Sequence, residues 1–385
     1  MLVAINQLGF GAVVAVLALY ASSFGVGQSA IGVSIAVYGL ARFLVAVPAG
    51  QLADRVGRRG VLALGGVVSA AGNLLCAGAP TYVLFIGGRF VAGAGAALVL
   101  IGGTIVLADI TTPANRGRTM AIYQGVFLFA VGVGPVPGGL LAERFGLTAP
   151  FLVYTIAGVV AAIVAWVSIP ETRAGSSSAA AVAAAELPAF GAQIRLLTGR
   201  IGFVLATLIS FMSAVARTGA LFNVIPVLAR DRLGLSADRI GVGLALASLV
   251  GLVVIYPSGM LVDRVGRKLL IVPATAMSAA SMLVFIVAPS YGWFLTACVV
   301  WSLATGVSGA APAAYAADVA PPGMNAAAMS TFRMLSDAGY VLGPIVLGIV
   351  ADLFGADVAL AAAAVLLTAA AILFGRYAPE SYRSR

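Results

Sequence analysis

The chain has 385 residues, of which 62% are hydrophobic and only 9% are charged, with a formal net charge of +9. Ordinary soluble domains carry about 25% charged residues, so most of this surface must face lipid. The sequence has no histidine and two cysteines, Cys76 and Cys298, each inside an apolar stretch. This composition excludes histidine-based catalysis, histidine-ligated metal and a disulfide framework, and we expect an all-α membrane protein that needs no metal and no cofactor.

Twelve apolar stretches are long enough to cross a bilayer, which takes about 20 residues. They cover approximately residues 1–22, 30–50, 60–79, 82–108, 118–141, 148–169, 201–225, 239–259, 269–288, 291–316, 329–350 and 356–375. No Lys or Arg precedes Arg42, so the first stretch lacks the basic region of a cleaved signal peptide and is interpreted as a retained helix. Residues 171–200 form the only long polar connection, a predicted cytoplasmic linker between domains 1–170 and 201–385.

The two halves of the chain repeat each other at an offset of 209 residues. The segment GQLADRVGRRGVL, from Gly50, returns as GMLVDRVGRKLLI, from Gly259. The same offset joins Asp109 to Asp318, and no gap is needed across about a hundred positions. A repeat of this length is a duplicated domain and not a solenoid unit. The sequence therefore predicts six helices in each half, copied in the same direction, and on this mapping the first helix looks shortened.

Basic residues are distributed unequally between the predicted loops. When the loops are assigned alternately to the two sides of the membrane, fifteen Arg and Lys residues fall on one side and four on the other. Arg and Lys are enriched in cytoplasmic loops, so we expect both termini and the repeated turn in the cytoplasm. The same asymmetry accounts for the net positive charge without a nucleic-acid partner.

The repeated motifs resemble those of a known family. GQLADRVGRR between the second and third stretches, its copy in the second half, and GVGPVPGG in the fifth stretch are similar to signature motifs of the major facilitator superfamily, most of all its drug:proton antiporter branch. The resemblance covers the whole chain. It implies two six-helix bundles that enclose a midplane cavity and transport a small molecule by rocking of the halves, without enzyme activity.

In the first copy, the repeated turn is expected to act as a conformational latch, a contact made in one state of transport. The resemblance places Asp54 opposite the N-terminus of the eleventh helix, where the helix dipole favours a carboxylate by roughly 0.3–1 kcal/mol. Asp109 ends the fourth helix, a position that its own helix dipole disfavours. We therefore expect Asp109 to pair with Arg58 or Arg59 of the turn, or with Arg118.

In the second copy, Asp318 with Arg267 or Lys268 would repeat this arrangement, and we expect a weaker latch because Arg118 has no counterpart there. Ordinary solvated loop charges are the alternative interpretation for both copies. The residues of the predicted latch are Gly50, Asp54, Arg55, Gly57, Arg58, Arg59, Asp109, Arg118, Gly259, Asp263, Arg264, Gly266, Arg267, Lys268 and Asp318.

A helix-bend motif occupies the fifth helix. Small residues and a missing amide donor allow a bend and the close approach of a partner helix, and the resemblance places that contact at the interface between the halves. Generic packing glycines are the alternative. The residues of the motif and of its counterpart in the eleventh helix are Gly134, Pro135, Gly138, Gly139, Gly343 and Pro344.

Two charges of opposite sign lie inside predicted spans, where each costs about 2.5–3.5 kcal/mol at the helix centre. Arg42 and Asp337 lie at matching depths, roughly 13 and 12 Å from the cytoplasmic ends of their helices at 1.5 Å per residue. The resemblance brings the second and eleventh helices together. We therefore predict an ion pair between these residues that changes as the halves rock, with Arg333 as the competing local partner of Asp337.

Asp337 is also the only carboxylate placed well within a span. A carboxylate in an apolar cavity holds a proton more readily, and a neighbouring Arg opposes this, so Asp337 is the candidate for proton coupling. The resembled antiporters often carry an acidic residue in the first helix, whereas this chain has Asn6 and Gln7 there. A purely structural ion pair is the alternative role for Asp337.

Two further arginines lie within spans. Arg89, in GGRFVAGAGAA, resembles the family's second motif and is expected to bind an anionic group or assist proton movement; a snorkelling Arg near the outer interface is the alternative. Arg217, in the seventh helix, has no counterpart in the first copy, which favours a substrate contact. The candidates for substrate binding are Arg42, Arg89, Arg217, Asn223, Asn6, Gln7 and Asp337, and those for proton or ion coupling are Asp337, Arg42 and Arg89.

The sequence thus predicts a secondary transporter that exports small amphipathic or drug-like compounds in exchange for protons, as a monomer in the inner membrane of a bacterium. An importer of a small organic solute, anionic in view of the three arginines within spans, is one alternative. A transporter-like membrane sensor without transport is another. No GxxxxGK[ST] loop is present, so nothing supports transport driven directly by ATP.

Overall fold

The computed structural model describes residues 2–111, 116–169, 190–308, 311–321 and 325–380. Within these ranges no β-strand occurs, and twelve helices are long and apolar enough to cross a membrane. This confirms the predicted all-α membrane fold and its twelve spans.

We number the membrane-crossing segments as spans 1 to 12. Span 5 comprises two helices and span 7 contains a π-helix, whereas span 10 is given by its two described parts, on either side of residues 309–310. In chain order the bounds are Leu2–Ser22, Gln28–Val56, Arg58–Ala77, Tyr82–Ile110, Arg116–Val133 with Pro135–Phe145, Ala149–Ser168, Ile201–Val215 with the π-helix Ala216–Val224 and Ile225–Leu233, Ala237–Val265, Arg267–Val287, Tyr291–Ser308 with Ala311–Asp318, Asn325–Phe354, and Ala356–Tyr377.

The chain forms two compact units. Unit 1 comprises Met1–Ser178 together with Gly234–Ala245, and unit 2 comprises Ala179–Leu233 together with Leu246–Arg385. The boundary does not follow the sequence repeat everywhere, because the first turns of span 8 group with unit 1.

The same helix neighbours recur inside each unit. In unit 1, span 3 packs against spans 4 and 6, and span 1 packs against spans 5 and 6. In unit 2, span 9 packs against spans 10 and 12, and span 7 packs against spans 11 and 12. These four contacts of unit 1 correspond to the four contacts of unit 2 at the offset of the repeat, as expected for a duplicated domain.

The repeated turn between spans 2 and 3 depends on a single glycine. Gly57 separates the two helices with a φ of 92°, and its copy Gly266 has a φ of 109°. Side chains other than that of glycine rarely adopt such positive φ values. This requirement explains why a glycine occupies the turn in both halves.

The structure corrects two details of the predicted elements. Span 7 was predicted to end at residue 225, but the helix continues through Pro226 to Leu233. The predicted polar linker 171–200 lies largely outside the described residues, and its described part, 190–200, contains the helix Phe190–Thr198. Leu197 of that helix is fully buried in the core of unit 2, so this part of the linker is packed.

Candidate functional site

The charged turn of unit 1 contains a largely buried ion pair. Nε of Arg58 lies 3.0 Å from Oδ2 of Asp109, and the two side chains are 3% and 13% exposed. Arg58 also donates through Nη1 to the carbonyl oxygen of Ala53 at 3.3 Å. The pair joins the start of span 3 to the end of span 4 and confirms Arg58 as a partner of Asp109.

Arg59, the other expected partner from the turn, has a different contact. Its guanidinium carbon lies 4.5 Å from the ring centroid of Trp166 in span 6, which is within the range of a cation–π interaction. The two neighbouring arginines therefore bind different helices, Arg58 holding span 4 and Arg59 holding span 6.

The charged turn of unit 2 repeats the pair in a more exposed setting. Nε of Arg267 lies 3.1 Å from Oδ2 of Asp318, and the side chains are 18% and 35% exposed. Lys268, the alternative partner, contacts a different group: its Nζ donates to the carbonyl oxygen of Ala378 at 2.9 Å. The second ion pair is therefore present, and its greater exposure agrees with the expectation of a weaker contact.

Glu380 completes this site, and sequence reasoning missed it. Its carboxylate accepts hydrogen bonds from the backbone N–H groups of Arg267 and Lys268, both at 3.2 Å, at the N-terminus of span 9. A carboxylate at this position is favoured by the helix dipole. A signal was available, because Pro170-Glu171 and Pro379-Glu380 share the offset of the repeat.

Several residues of the predicted latch have side chains that lie outside the described set. These are Asp54, Arg118, Gly259, Asp263 and Arg264. Arg55 is exposed, and Gly50 lies within the helix of span 2. The contact predicted for Asp54 with the N-terminus of span 11, and with it the role of the turn as a latch, remains a prediction.

Arg89 is buried inside unit 1. Its side chain is 1% exposed, its Nε donates to the carbonyl oxygen of Ser34 at 3.2 Å, and its guanidinium carbon lies 4.3 Å from the ring centroid of Tyr38. The Nη1 atom has no hydrogen-bond partner among the described residues. The snorkelling alternative is therefore wrong, because a guanidinium buried between spans 2 and 4 does not reach the lipid headgroups.

Asn6 and Gln7 of span 1 belong to the same buried polar region. Both are 3% exposed. Asn6 Nδ2 donates to Gln7 Oε1 at 3.0 Å, and the Tyr154 hydroxyl of span 6 donates to Asn6 Oδ1 at 3.0 Å. Tyr154 in turn lies beside Tyr38 and Arg89. The structure thus brings together three of the predicted site residues, Asn6, Gln7 and Arg89, in a neutral hydrogen-bonded surrounding.

Arg42 and Asp337 lie in different units. Arg42 is half-buried in span 2, whereas Asp337 is exposed in span 11 and Arg333, one turn earlier, is also exposed. The ion pair predicted between Arg42 and Asp337 stays a prediction.

The helix-bend motif of span 5 forms close backbone contacts within unit 1. The helix breaks at Gly134, between Val133 and Pro135. A Cβ atom added at Gly138 would lie 2.2 Å from the carbonyl oxygen of Ala12 in span 1, and one added at Gly139 would lie 2.5 Å from that of Ala237 at the start of span 8. The glycines of the motif therefore serve two close helix contacts, and its role as a bend stays a prediction.

Spans 7 and 11 of unit 2 cross through an equivalent set of small residues. A Cβ atom added at Gly219 would lie 2.4 Å from the carbonyl oxygen of Gly343, and one added at Gly343 would lie 2.7 Å from Cα of Val215. Asn223 is fully buried, and its Nδ2 donates to the carbonyl oxygen of Pro344 at 3.0 Å. The predicted site residue Asn223 therefore bridges two helices at this crossing.

The crossing coincides with the π-helix of span 7, a feature that the sequence did not indicate. The N–H of Ile225 donates to the carbonyl oxygen of Ala220, five residues earlier. Pro226 follows directly and has no N–H to donate. Arg217 lies near the start of this segment and is half-buried. Single-turn π-helical insertions occur frequently at functional sites, which makes this segment the second candidate region of the chain.

No group of three or more His, Cys, Asp and Glu side chains with the spacing of a metal site occurs in the part of the chain that the structure describes.

Comparison with known proteins agrees with this arrangement. The family model of the Major Facilitator Superfamily matches residues 1–236 and 206–385. The chain is 26% identical over 268 residues to the multidrug resistance protein MdtL of Shewanella oneidensis, a match that covers 69% of this chain and 65% of that protein. It is 22% identical to an uncharacterized MFS-type transporter of Methanocaldococcus jannaschii over 91% of this chain and 89% of that protein.

Solved structures share the fold at low sequence identity. The nucleoside transporter NupG has a TM-score of 0.81 at 13% identity, covering 97% of this chain and 96% of that chain. The D-xylose-proton symporter has a TM-score of 0.77 at 17% identity, covering 99% and 97%.

Proposed function

The chain belongs to the major facilitator superfamily of multi-pass membrane transporters, and from this membership we propose that it exports small amphipathic, drug-like compounds in exchange for protons. It is a transporter and not an enzyme. We place it in a bacterial inner membrane with both termini in the cytoplasm, on the distribution of its basic residues and on its similarity to MdtL, a bacterial multidrug resistance protein.

The observation that supports proton coupling is the position of Asp337, an exposed carboxylate that lies away from both ends of span 11. An ionisable residue within a membrane span is costly and marks a substrate or ion pathway in most cases. In the proposed cycle a cation near Asp337 displaces its proton, and rebinding of a proton releases the cation. Span 1 has Asn6 and Gln7 in place of a carboxylate, so the proposal assigns the coupling to Asp337 alone.

A second candidate function is the import or exchange of an anionic organic solute. It is favoured by the number of charges predicted within the spans, where three arginines (Arg42, Arg89 and Arg217) outnumber the one carboxylate placed well within a span, Asp337. A transporter-like sensor is the third candidate. Counterflow in proteoliposomes separates transport from sensing, because a sensor binds its ligand without exchanging labelled for unlabelled substrate.

The deciding experiment measures drug transport in proteoliposomes with and without an imposed pH gradient, for the wild type and for Asp337→Asn. Proton-coupled export requires that the gradient accelerate transport by the wild type, and that Asp337→Asn transport at the same rate with and without it. If the variant responded to the gradient as the wild type does, Asp337 would have no role in coupling. Asp352→Asn, at the end of the same span, is the matched control.

A further inference from the structure

The π-helix of span 7 presents an accessible arginine at the centre of a long membrane span. Arg217 lies midway along Ile201–Leu233 and is half-buried, whereas its neighbours Ala216 and Thr218 are buried. It makes no hydrogen bond or ion pair with any residue in the described part of the chain. An arginine facing lipid at this depth is strongly disfavoured, so its accessible side faces a polar pathway.

An aromatic residue shares this accessible face. From Ala214 to Val227 only two side chains are not buried, Arg217 and Phe222. In an α-helix residues five apart are rotated by about 140° and point in different directions. In a π-helix the hydrogen bonds join residues five apart, so such residues lie on the same side. The π-helical geometry therefore places Arg217 and Phe222 on the same side of span 7.

The opposite face of the segment is fixed by packing. Gly219 lies against Gly343, and Asn223 donates to the carbonyl oxygen of Pro344. These contacts hold span 7 to span 11 and leave Arg217 and Phe222 turned away from that contact. The segment thus has one structural face and one face available to a ligand.

We propose that Arg217 and Phe222 form a substrate subsite for aromatic compounds that carry one carboxylate. The guanidinium pairs with the carboxylate through charge-assisted hydrogen bonds, and the Phe222 ring packs against the aromatic body. This assignment rests on the proposed transport function and, of the candidate substrates named for it, favours the anionic organic solute. The first half of the chain has Leu8 at the position equivalent to Arg217, so the subsite belongs to the second half alone.

Three compounds with the same bicyclic body test the assignment: 1-naphthoate, 1-naphthamide and 1-naphthylmethylammonium, with charges of −1, 0 and +1. Thermal unfolding of the purified protein in detergent reports their binding without requiring transport. We expect 1-naphthoate to give its half-maximal shift at a concentration at least tenfold below that of the other two. Arg217→Gln should remove this preference, and Arg217→Lys should restore part of it.

Phe222→Leu should weaken 1-naphthoate and 1-naphthamide to a similar extent, because it removes the ring contact and leaves the charge. Arg230→Gln, a change at an exposed arginine that pairs with Asp231, is the control and should bind as the wild type does. Three results would overturn the subsite: no binding of 1-naphthoate, equal or tighter binding of the ammonium compound, or an unchanged preference in Arg217→Gln.

Failure of the subsite and failure of the proposed function are distinguishable. Binding of 1-naphthoate that depends on Arg217, without transport driven by a pH gradient, would refute proton-coupled export and keep the subsite. Gradient-driven export of cationic compounds by a protein that does not bind 1-naphthoate would keep the proposed function and refute the subsite.

Discussion

Arg58 Nε and Asp109 Oδ2 lie 3.0 Å apart and are both largely buried, whereas the copy of this pair, Arg267 and Asp318, is more exposed at nearly the same distance. The two pairs occupy equivalent positions of the repeat and differ in their exposure to solvent. They therefore form a natural comparison of a buried and an exposed ion pair within one chain.

We predict that Asp109→Asn destabilises the protein more than Asp318→Asn. Removing one partner of a buried pair leaves a buried charge uncompensated and costs up to about 3–5 kcal/mol, whereas an exposed pair is worth about 0–1 kcal/mol. Thermal unfolding of both variants in the same detergent measures the difference. Equal losses would show that burial of the Arg58 pair does not govern its contribution.

The crossing of spans 7 and 11 gives a second prediction. Gly219→Ala places a Cβ atom 2.4 Å from the carbonyl oxygen of Gly343, and overpacking of this kind costs about 1–3 kcal/mol. Gly87→Ala is the matched control, because nothing lies within 4 Å of a Cβ atom there. A glycine within a helix is about 0.5–1 kcal/mol less stable than alanine, so the control should be neutral or slightly stabilising. If Gly219→Ala unfolded at the same temperature as Gly87→Ala, the close contact between spans 7 and 11 would be contradicted.

The spans and the charged turns could be predicted from the sequence, and the π-helix could not. Apolar stretches of about 20 residues identify membrane helices by themselves, and the repeat predicted the pairing of Asp109 and Asp318 with arginines of the turns. The π-helix in span 7 depends on tertiary packing, because the contact of Gly219 with Gly343 fixes one face of the segment. Pro226 also removes one amide donor. In the sequence alone, neither Gly219 nor Pro226 indicates a π-helix.

Sequence reasoning also underestimated burial within unit 1. The sequence leaves Arg89 open to a functional or a snorkelling interpretation. The structure buries it against Ser34 and Tyr38, and this burial depends on how spans 2 and 4 pack. The depth of a residue along its helix can be counted from the sequence. The side of the helix that it occupies cannot be assigned when nearly every neighbour is apolar.

Arg89 gives a third prediction, on stability and transport together. Its Nη1 atom is buried without a partner among the described residues, and a buried charge that is incompletely hydrogen-bonded lowers stability because of its desolvation. Arg89→Met should therefore unfold at the same or a higher temperature and lose transport. A large loss of stability would indicate a structural role for the guanidinium. If Arg89→Met were stable and transported at the rate of the wild type, Arg89 would have no role in transport.

The last prediction concerns Arg42 and Asp337, the charges of opposite sign that lie at matching predicted depths in spans 2 and 11. Reversing either charge alone, in Arg42→Asp or Asp337→Arg, should reduce transport strongly, because a like pair would replace an attractive one. The double exchange restores opposite charges and should recover part of the transport that each single variant loses. Arg333→Gln is the matched control, since it removes the competing local partner of Asp337 and should preserve the coupling between the two sites. The pair would be ruled out if the double variant lost as much transport as the two single variants together, compared as free energies. Independent residues contribute additively, and paired residues do not.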